Sequence, residues 1–464
     1  MPLFNVITTM NTSVKFIPLL LVLAVASMRG QPAKGTGRTV TIEEAVMTAL
    51  RENHELATAR LEVQKAEARV SEAWGYALPR LDMTARYSRA IKKPVFFLPD
   101  FNDLSSGRVV PIEIGSTNSF DMTLSASQVL FNSAVFTGVG SANIYSKAAR
   151  ELYRAKEVEV VTGVRKAYYG ALLAAQVAAV ARENLSNAEE NLRRVTLLAS
   201  QGLVAEYDRL RATVGVENLR PEIIRAENAS PIALNGLRIA MGAAFADSIE
   251  LRGDIAFVPA DTAVVAGAQE NVLLNNPSLA ALRCQIEVSD AFVAVERSNY
   301  LPSLAAFGSY ELQAQKNDLR MSTRDLVTSS LVGIALSLNI FNGLQTNARV
   351  EQAQMDKRKS EQQIVALELQ LRTGVEGATL QLRRVRQRIA AQEETIRTAE
   401  RGYAIASARY TSGSGTQLEV NDARLALTQA RLNLAQTHYE YLVTSADLDQ
   451  LLGRLPAYVS DGHD

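Results

Sequence analysis

The stretch Leu78-Pro79-Arg80-Leu81-Asp82-Met83-Thr84-Ala85-Arg86-Tyr87 decides the fold. Leu81, Met83, Ala85 and Tyr87 alternate with Asp82, Thr84, Arg86 and Ser88, a period of two that lays down a strand with one apolar and one polar face. The residues before it, 41–77, have a helical period instead. Ile42, Val46, Leu50 and Ala57 recur at helical spacing, Thr41 is placed to cap, Glu43 and Glu44 suit the first turn, and Pro79 ends the helix. The same order returns later in the chain. Asn53, Leu56, Ala57, Leu78, Pro79, Leu81 and Tyr87 recur as Asn276, Leu279, Ala280, Leu301, Pro302, Leu304 and Tyr310, each 223 residues on. Gly163, Gly202, Ala212, Arg220 and Gly242 recur as Gly374, Gly413, Ala423, Arg431 and Gly453, each 211 residues on. The chain is therefore one structural unit built twice, the first copy having the longer outer loop.

Three further strands follow from the same alternation. In 119–131, Phe120, Met122, Leu124 and Ala126 oppose Asp121, Thr123, Ser125 and Ser127. In 303–315, Leu304, Ala306, Tyr310 and Leu312 share a face, and in 329–341 so do Val332, Ile334, Leu336, Leu338 and Ile340. A single alternating strand usually belongs to a soluble sheet with one wet face. Four of them, about ten or more residues long and uniformly apolar on one side, match strands that cross a membrane in a barrel.

Between the strand pairs lie long helical stretches. Residues 133–201 run uninterrupted for roughly 100 Å at 1.5 Å per residue, break at Gly202, and continue as a shorter helix over 205–242. The second half repeats this as 343–411, a break at Gly413 and Gly415, and 416–453, after a helix over 264–299. The 41–77 and 205–242 helices together nearly equal the 133–201 helix in length, so two short helices can lie end to end beside one long one. The organisation expected is a first repeat at 27–242, a linker at 243–263, a second repeat at 264–453 and a tail at 454–464.

Bulk properties narrow the function. Lys plus Arg and Asp plus Glu number 49 each, so no net field draws the chain to nucleic acid. Lys15, the apolar run Phe16–Ala26 and the small residues Ala24 and Ala26 have the pattern of a signal peptide over 1–26, the run being too short to span a bilayer as a helix. Cys284 is the single cysteine, so no lipid-acceptor cysteine follows the signal and no internal disulfide forms; its repeat partner Leu61 suggests a buried helix position. His54, His438 and His463 are scattered, no Cys-His set has metal-ligand spacing, and no glycine-rich loop opens a helix after a strand, so no enzyme, metal site or cofactor is expected. Four strands cannot close a barrel and open edges are not tolerated in lipid, so the chain must recruit copies of itself: two chains give eight strands and three give twelve.

These residues resemble the TolC-like outer-membrane efflux family across nearly the whole mature chain. The resemblance is carried by the duplication, the Asn-x-x-Leu and Leu-Pro-x-Leu motifs, Phe131-Asn132 and Phe341-Asn342, Gly202-Leu203-Val204-Ala205-Glu206-Tyr207-Asp208, and Tyr410-Thr411-Ser412-Gly413 running on to Glu419 and Asp422. It implies an α+β membrane protein: a homotrimer whose twelve-stranded β-barrel in outer-membrane lipid continues into an α-helical coiled-coil tunnel in the periplasm. It implies an exit channel for an efflux or type I secretion system, working with a periplasmic adaptor and an inner-membrane transporter. The alternative outside transport is a periplasmic coiled-coil scaffold.

The resemblance also assigns sites. Asp208 and Tyr410 match a periplasmic gate whose arginine position holds Gly415, with Arg209 or Arg211 as substitutes. Glu419 and Asp422, three residues apart on one helix face, match stacked carboxylate rings that favour cations; a solvated charged face is the plain reading. Gly202, Leu203 and Val204 with Gly413, Ser414, Gly415 and Thr416 match adaptor-docking tips, and are equally ordinary helix turns. Trp74, Tyr87, Phe120, Phe131, Tyr310 and Phe341 are candidates for interfacial belts, Trp74 equally for core packing.

Overall fold

A computed structural model of the protein describes residues 38–99, 107, 109–244, 249–255, 267–319 and 322–460. The signal-peptide reading of 1–26 falls outside the described residues.

In the first repeat the elements are β1 (Arg38–Val40), α1 (Ile42–Glu52), α2 (His54–Gly75), β2 (Arg80–Arg89), β3 (Val95–Pro99), β4 (Val109–Glu113), β5 (Asn118–Phe131), α3 (Ser133–Ser200) and α4 (Glu206–Met241). After β6 (Ile249–Leu251) the second repeat runs α5 (Ala268–Asn275), α6 (Pro277–Ser298), β7 (Ser303–Lys316), β8 (Val327–Ser337), α7 (Gln345–Thr411) and α8 (Gln417–Leu451), and α9 (Ala457–Ser460) follows.

The helix expected over 41–77 is two helices, and so is the one over 264–299. The hinge is the Asn of each Asn-x-x-Leu motif. Asn53 takes extended backbone, and its Oδ1 accepts from the Glu55 and Leu56 N–H groups at 2.9 and 3.0 Å, so it caps α2 while ending α1. Its Nδ2 donates to the Ala240 carbonyl at 2.8 Å, tying the hinge to the last turn of α4. Asn276 does the same in the second repeat, accepting from Leu279 N–H at 3.0 Å and donating to the Leu451 carbonyl at 2.9 Å. The glycines ending α4 and α8 complete the joint. Gly242 has φ +72, and a Cβ there would lie 2.4 Å from the Glu52 carbonyl oxygen; Gly453 has φ +66, and a Cβ would lie 2.5 Å from Pro277 Cδ. Only glycine allows the hinge and the helix end to approach this closely.

The helices form columns. On α3, Arg150 pairs with Glu67 of α2 and Arg182 with Glu227 of α4, so the two short helices lie along the long one. In the second repeat Lys357 of α7 pairs with Asp290 of α6, and Arg388 with Glu440 of α8. The halves are joined because α3 also packs on α6 and α8. There Arg165 meets Asp449 at 2.7 Å and Lys166 meets Asp447.

Two apolar cores sit at the hinges, one around Val46, Leu56, Val164, Leu237 and Met241, the other around Val272, Leu279, Val375, Tyr441 and Leu452. The expected linker and tail contribute structure to the first. β6 pairs in parallel with β1, and the hydroxyl of Tyr168 reaches the carbonyls of Val40 (3.1 Å) and Arg252 (2.8 Å), which bridges the two strands to α3. Val459 of α9 packs into the same core.

The wall is an antiparallel sheet in the order β2-β5-β7-β8. β8 begins at Val327 and ends at Ser337, so Leu338–Phe341 of the strand expected over 329–341 lie outside it. Past the wall, β3 and β4 form a separate two-stranded hairpin inside the longer outer loop. Its base is fixed by Asn118, which accepts from the Tyr87 hydroxyl at 2.9 Å and donates to the carbonyls of Lys316, Asn317 and Asp318.

Candidate functional site

The wall and the helix tips are the two places where chemistry is concentrated. Register lines up Leu81, Ala126, Gly308 and Val332 across all four strands, with Met83, Leu124, Tyr310 and Ser330 in the next row, so one face is apolar except where β8 contributes Ser330 and Thr328. Leu81 is 70% exposed, Val332 85% and Leu336 70%, which water does not favour for a surface this wide. The other face carries Asp82, Thr84, Arg86, Asp121, Glu311 and Gln313. Gln313 donates to Asp121 at 3.0 Å and Ser329 to Glu311 at 3.3 Å. Both outer strands, β2 and β8, have an edge that no strand among the described residues pairs with. Trp74, just before the wall, is 54% exposed and so does not pack in a core of the single chain.

At the far end of the columns each long helix turns back through a left-handed glycine. Gly202 (φ +73) lets Leu203 N–H reach the Leu198 carbonyl at 2.9 Å; Gly413 (φ +74) lets the Ser414 and Gly415 N–H groups share the Arg409 carbonyl at 2.9 and 3.0 Å. Thr416 caps α8, accepting from Glu419 N–H at 3.2 Å. Ala205 gives α4 no side-chain cap, but Glu206 and Asp208 place negative charge in its first turn, where the helix dipole favours it. Leu203 is exposed and Val204 half-buried.

Asp208 and Tyr410 stand on different tips, and no hydrogen bond joins them within the chain. Arg209 bonds instead to Glu206, which holds the Glu206 carboxyl below its usual range. The cation that the sequence reading misses is Arg409. It donates to the Ser414 carbonyl at 3.2 Å and pairs with Glu419 at 3.5 Å, crossing the turn that holds Gly415. A Cβ at position 415 would lie 3.0 Å from Arg409 Cβ and 3.1 Å from both Tyr410 N and Glu419 Oε2, so this tight turn leaves a side chain there little room. A basic residue beside Tyr410 was the available signal. Glu419 is thus engaged by a cation, whereas Asp422, one turn on, is exposed. The 211-residue offset makes Asp208 and Glu419 equivalent positions, both in the first turn after a tip.

Among the described residues no group of three or more His, Cys, Asp or Glu is placed to hold a metal ion. Cys284 is half-buried rather than buried, and desolvation pushes its thiol up, away from the reactive thiolate; its repeat partner Leu61 is exposed. No described helix is long and apolar enough to cross a membrane.

The two repeats, residues 45–243 and 269–454, match the family described as outer membrane efflux protein. The chain belongs to that family. It is 27% identical over 245 residues to the alkaline protease secretion protein AprF of Pseudomonas aeruginosa, a match spanning 52% of this chain and 50% of that protein, so the chain covers about half the length of this relative. It is 23% identical over 416 residues to the cobalt-zinc-cadmium resistance protein CzcC of Cupriavidus metallidurans, covering 89% of this chain and 90% of the relative. Among solved structures, the CmeC outer membrane channel of Campylobacter jejuni superposes with a TM-score of 0.74 at 20% identity, over 90% of this chain and 88% of that one. As a member of this family the chain is an outer-membrane protein with the duplicated strand-and-long-helix fold.

Proposed function

We propose that the protein is a passive outer-membrane exit duct: a homotrimer whose twelve strands close a barrel in lipid and whose helices continue it as a tunnel through the periplasm. The observation that carries this reading is the four-stranded wall, apolar and exposed on one face, polar on the other, with both edges open. Lipid covers the first face, water fills the second, and the edges are satisfied when β2 of one copy meets β8 of the next. Three copies give twelve strands.

Around the tunnel mouth, Asp208 and Tyr410 restrain a closed state, and the tips Gly202–Val204 and Gly413–Thr416 receive the helical hairpin of a periplasmic adaptor. Asp422, and Glu419 when Arg409 releases it, form the carboxylate rings that favour cations. Energy and cargo choice come from an inner-membrane transporter, in an efflux or a type I secretion system. The test is single-channel conductance of the mature protein in a planar bilayer, with amine cross-linking to count chains. Small cation-selective steps from a trimer, enlarged in the Asp208→Ala, Tyr410→Phe double variant, are expected. Failure to insert would overturn the duct, and unchanged conductance in that variant would overturn the gate.

A further inference from the structure

The duplication gives the ring two kinds of seam between columns. One lies inside each chain, where α3 of the first repeat packs on α6 and α8 of the second. In a ring closed head to tail, the other lies between chains, where α7 of the second repeat packs on α2 and α4 of the next copy. The inner seam is bolted by Arg165–Asp449 and Lys166–Asp447. The register between repeats at this level is fixed by structure as well as sequence. Thr162-Gly163-Val164 repeats as Thr373-Gly374-Val375, with Val164 and Val375 both fully buried, and Asn53 and Asn276 grip Ala240 and Leu451 in the same way. Arg165 therefore corresponds to Glu376, and Asp449 to Arg238. Lys166 and Asp447 correspond to Gly377 and Gly236.

At both of these pairs the two equivalent positions differ together. The arginine–aspartate bolt becomes glutamate facing arginine, opposite in sign and still complementary; the lysine–aspartate bolt becomes glycine facing glycine, removing both charges at once. Had only one side changed, the seam would place like charges or a lone charge against its neighbour. The surfaces are also open for a partner. Glu376 is exposed, a Cβ on either Gly236 or Gly377 would touch nothing within 4 Å, and Ile232 and Ile239 beside Arg238 are exposed apolar side chains on α4.

We infer that Glu376 of one copy forms an ion pair with Arg238 of the adjoining copy, with Gly377 and Gly236 in close apposition beside it, and that this pair sets the register of the seam between chains. The inference rests on the trimeric reading above. Its occupant is a second copy of this chain, because the complementary surface is the one the chain itself carries.

Arg238 donates to Asn235 within α4, so replacing it also costs the chain something internally, and rescue is the deciding readout. Glu376→Arg and Arg238→Glu each lower the trimer fraction seen by amine cross-linking in detergent. The Glu376→Arg, Arg238→Glu double variant recovers trimer relative to Arg238→Glu alone. In a Cys284→Ala background, Glu376→Cys with Arg238→Cys gives covalent trimers with a bis-maleimide, and neither single cysteine does. A reagent spanning about 10 Å suits the separation of an arginine–glutamate pair, where a direct disulfide is limited to Cα atoms within about 7 Å. A double charge swap that assembles no better than Arg238→Glu, or a cysteine pair that stays unlinked in samples whose amine cross-links still report trimers, overturns the pair. Absence of trimers in the unaltered protein would overturn the trimer reading itself and the pair with it.

Discussion

Replacing Asn53 by alanine removes three hydrogen bonds from one buried side chain: two that cap α2 and one that satisfies the last turn of α4. Loss of the cap costs about 1 kcal/mol. The Ala240 carbonyl, left without its donor at a buried joint, adds about 1–2 kcal/mol. Together, about 2–3 kcal/mol corresponds to roughly 30- to 150-fold more frequent local opening. Hydrogen exchange in detergent, read on peptides covering residues 54–60 and 236–242, measures this directly, because the amides of Glu55 and Leu56 are the ones the cap protects. Asn53→Asp separates the two effects. It keeps an acceptor for the α2 amides but sets a carboxylate against the Ala240 carbonyl, so exchange should rise at the end of α4 and not at the start of α2. Exchange unchanged in both peptides of the alanine variant would refute the assignment of Asn53 as the hinge that joins the columns.

Gly242→Ala should cost about 1–3 kcal/mol, since φ is +72 and the new Cβ would press on the Glu52 carbonyl; a lower thermal midpoint of the trimer checks it. Burial pushes the Tyr168 hydroxyl up to about 12, so its contribution is fully present below its ordinary value near 10 and lost as pH rises from there toward about 12. Tyr168→Phe should accordingly be less stable at neutral pH and show a shallower loss of stability across that alkaline window in a denaturation series. Under the proposed function, Asp422→Asn should reduce cation preference more than Glu419→Gln, because Glu419 is already paired with Arg409; reversal potentials in a salt gradient decide between them. Arg409→Ala should then increase cation preference in the same measurement.

Much of this architecture is legible in period and punctuation. The switch from 3.6 to 2 after Pro79, repeated after Pro302, located strands whose ladders begin at Arg80 and Ser303, and Gly202 and Gly413 marked the tips at which the long helices end. What escaped notice depended on partners distant in sequence. The break at Asn53 is hard to see because nothing local interrupts the helical period, and the reason to break, a helix end 187 residues away at Ala240, is visible only in three dimensions. The matching break at Asn276 had a local signal in Pro277, which stands at the first turn of α6 and disfavours helical backbone at the residue before it. β1 and β6 are three residues each, too short to carry a period, and exist because Tyr168 and the hinge core hold them. At the tip, resemblance directed attention to position 415, whereas the cation present is Arg409, whose reach across a tight turn is set by left-handed glycine geometry rather than by spacing.

The open edges of the wall have a genetic consequence under the trimeric reading. Since each chain would supply a third of one continuous ladder, a single copy with a spoiled β2 or β8 leaves two neighbours facing a broken seam. In a cell making normal and altered chains equally, only about one assembly in eight would draw three normal chains. Lesions in these strands should therefore behave as dominant, whereas lesions that prevent a chain from reaching the membrane should be recessive.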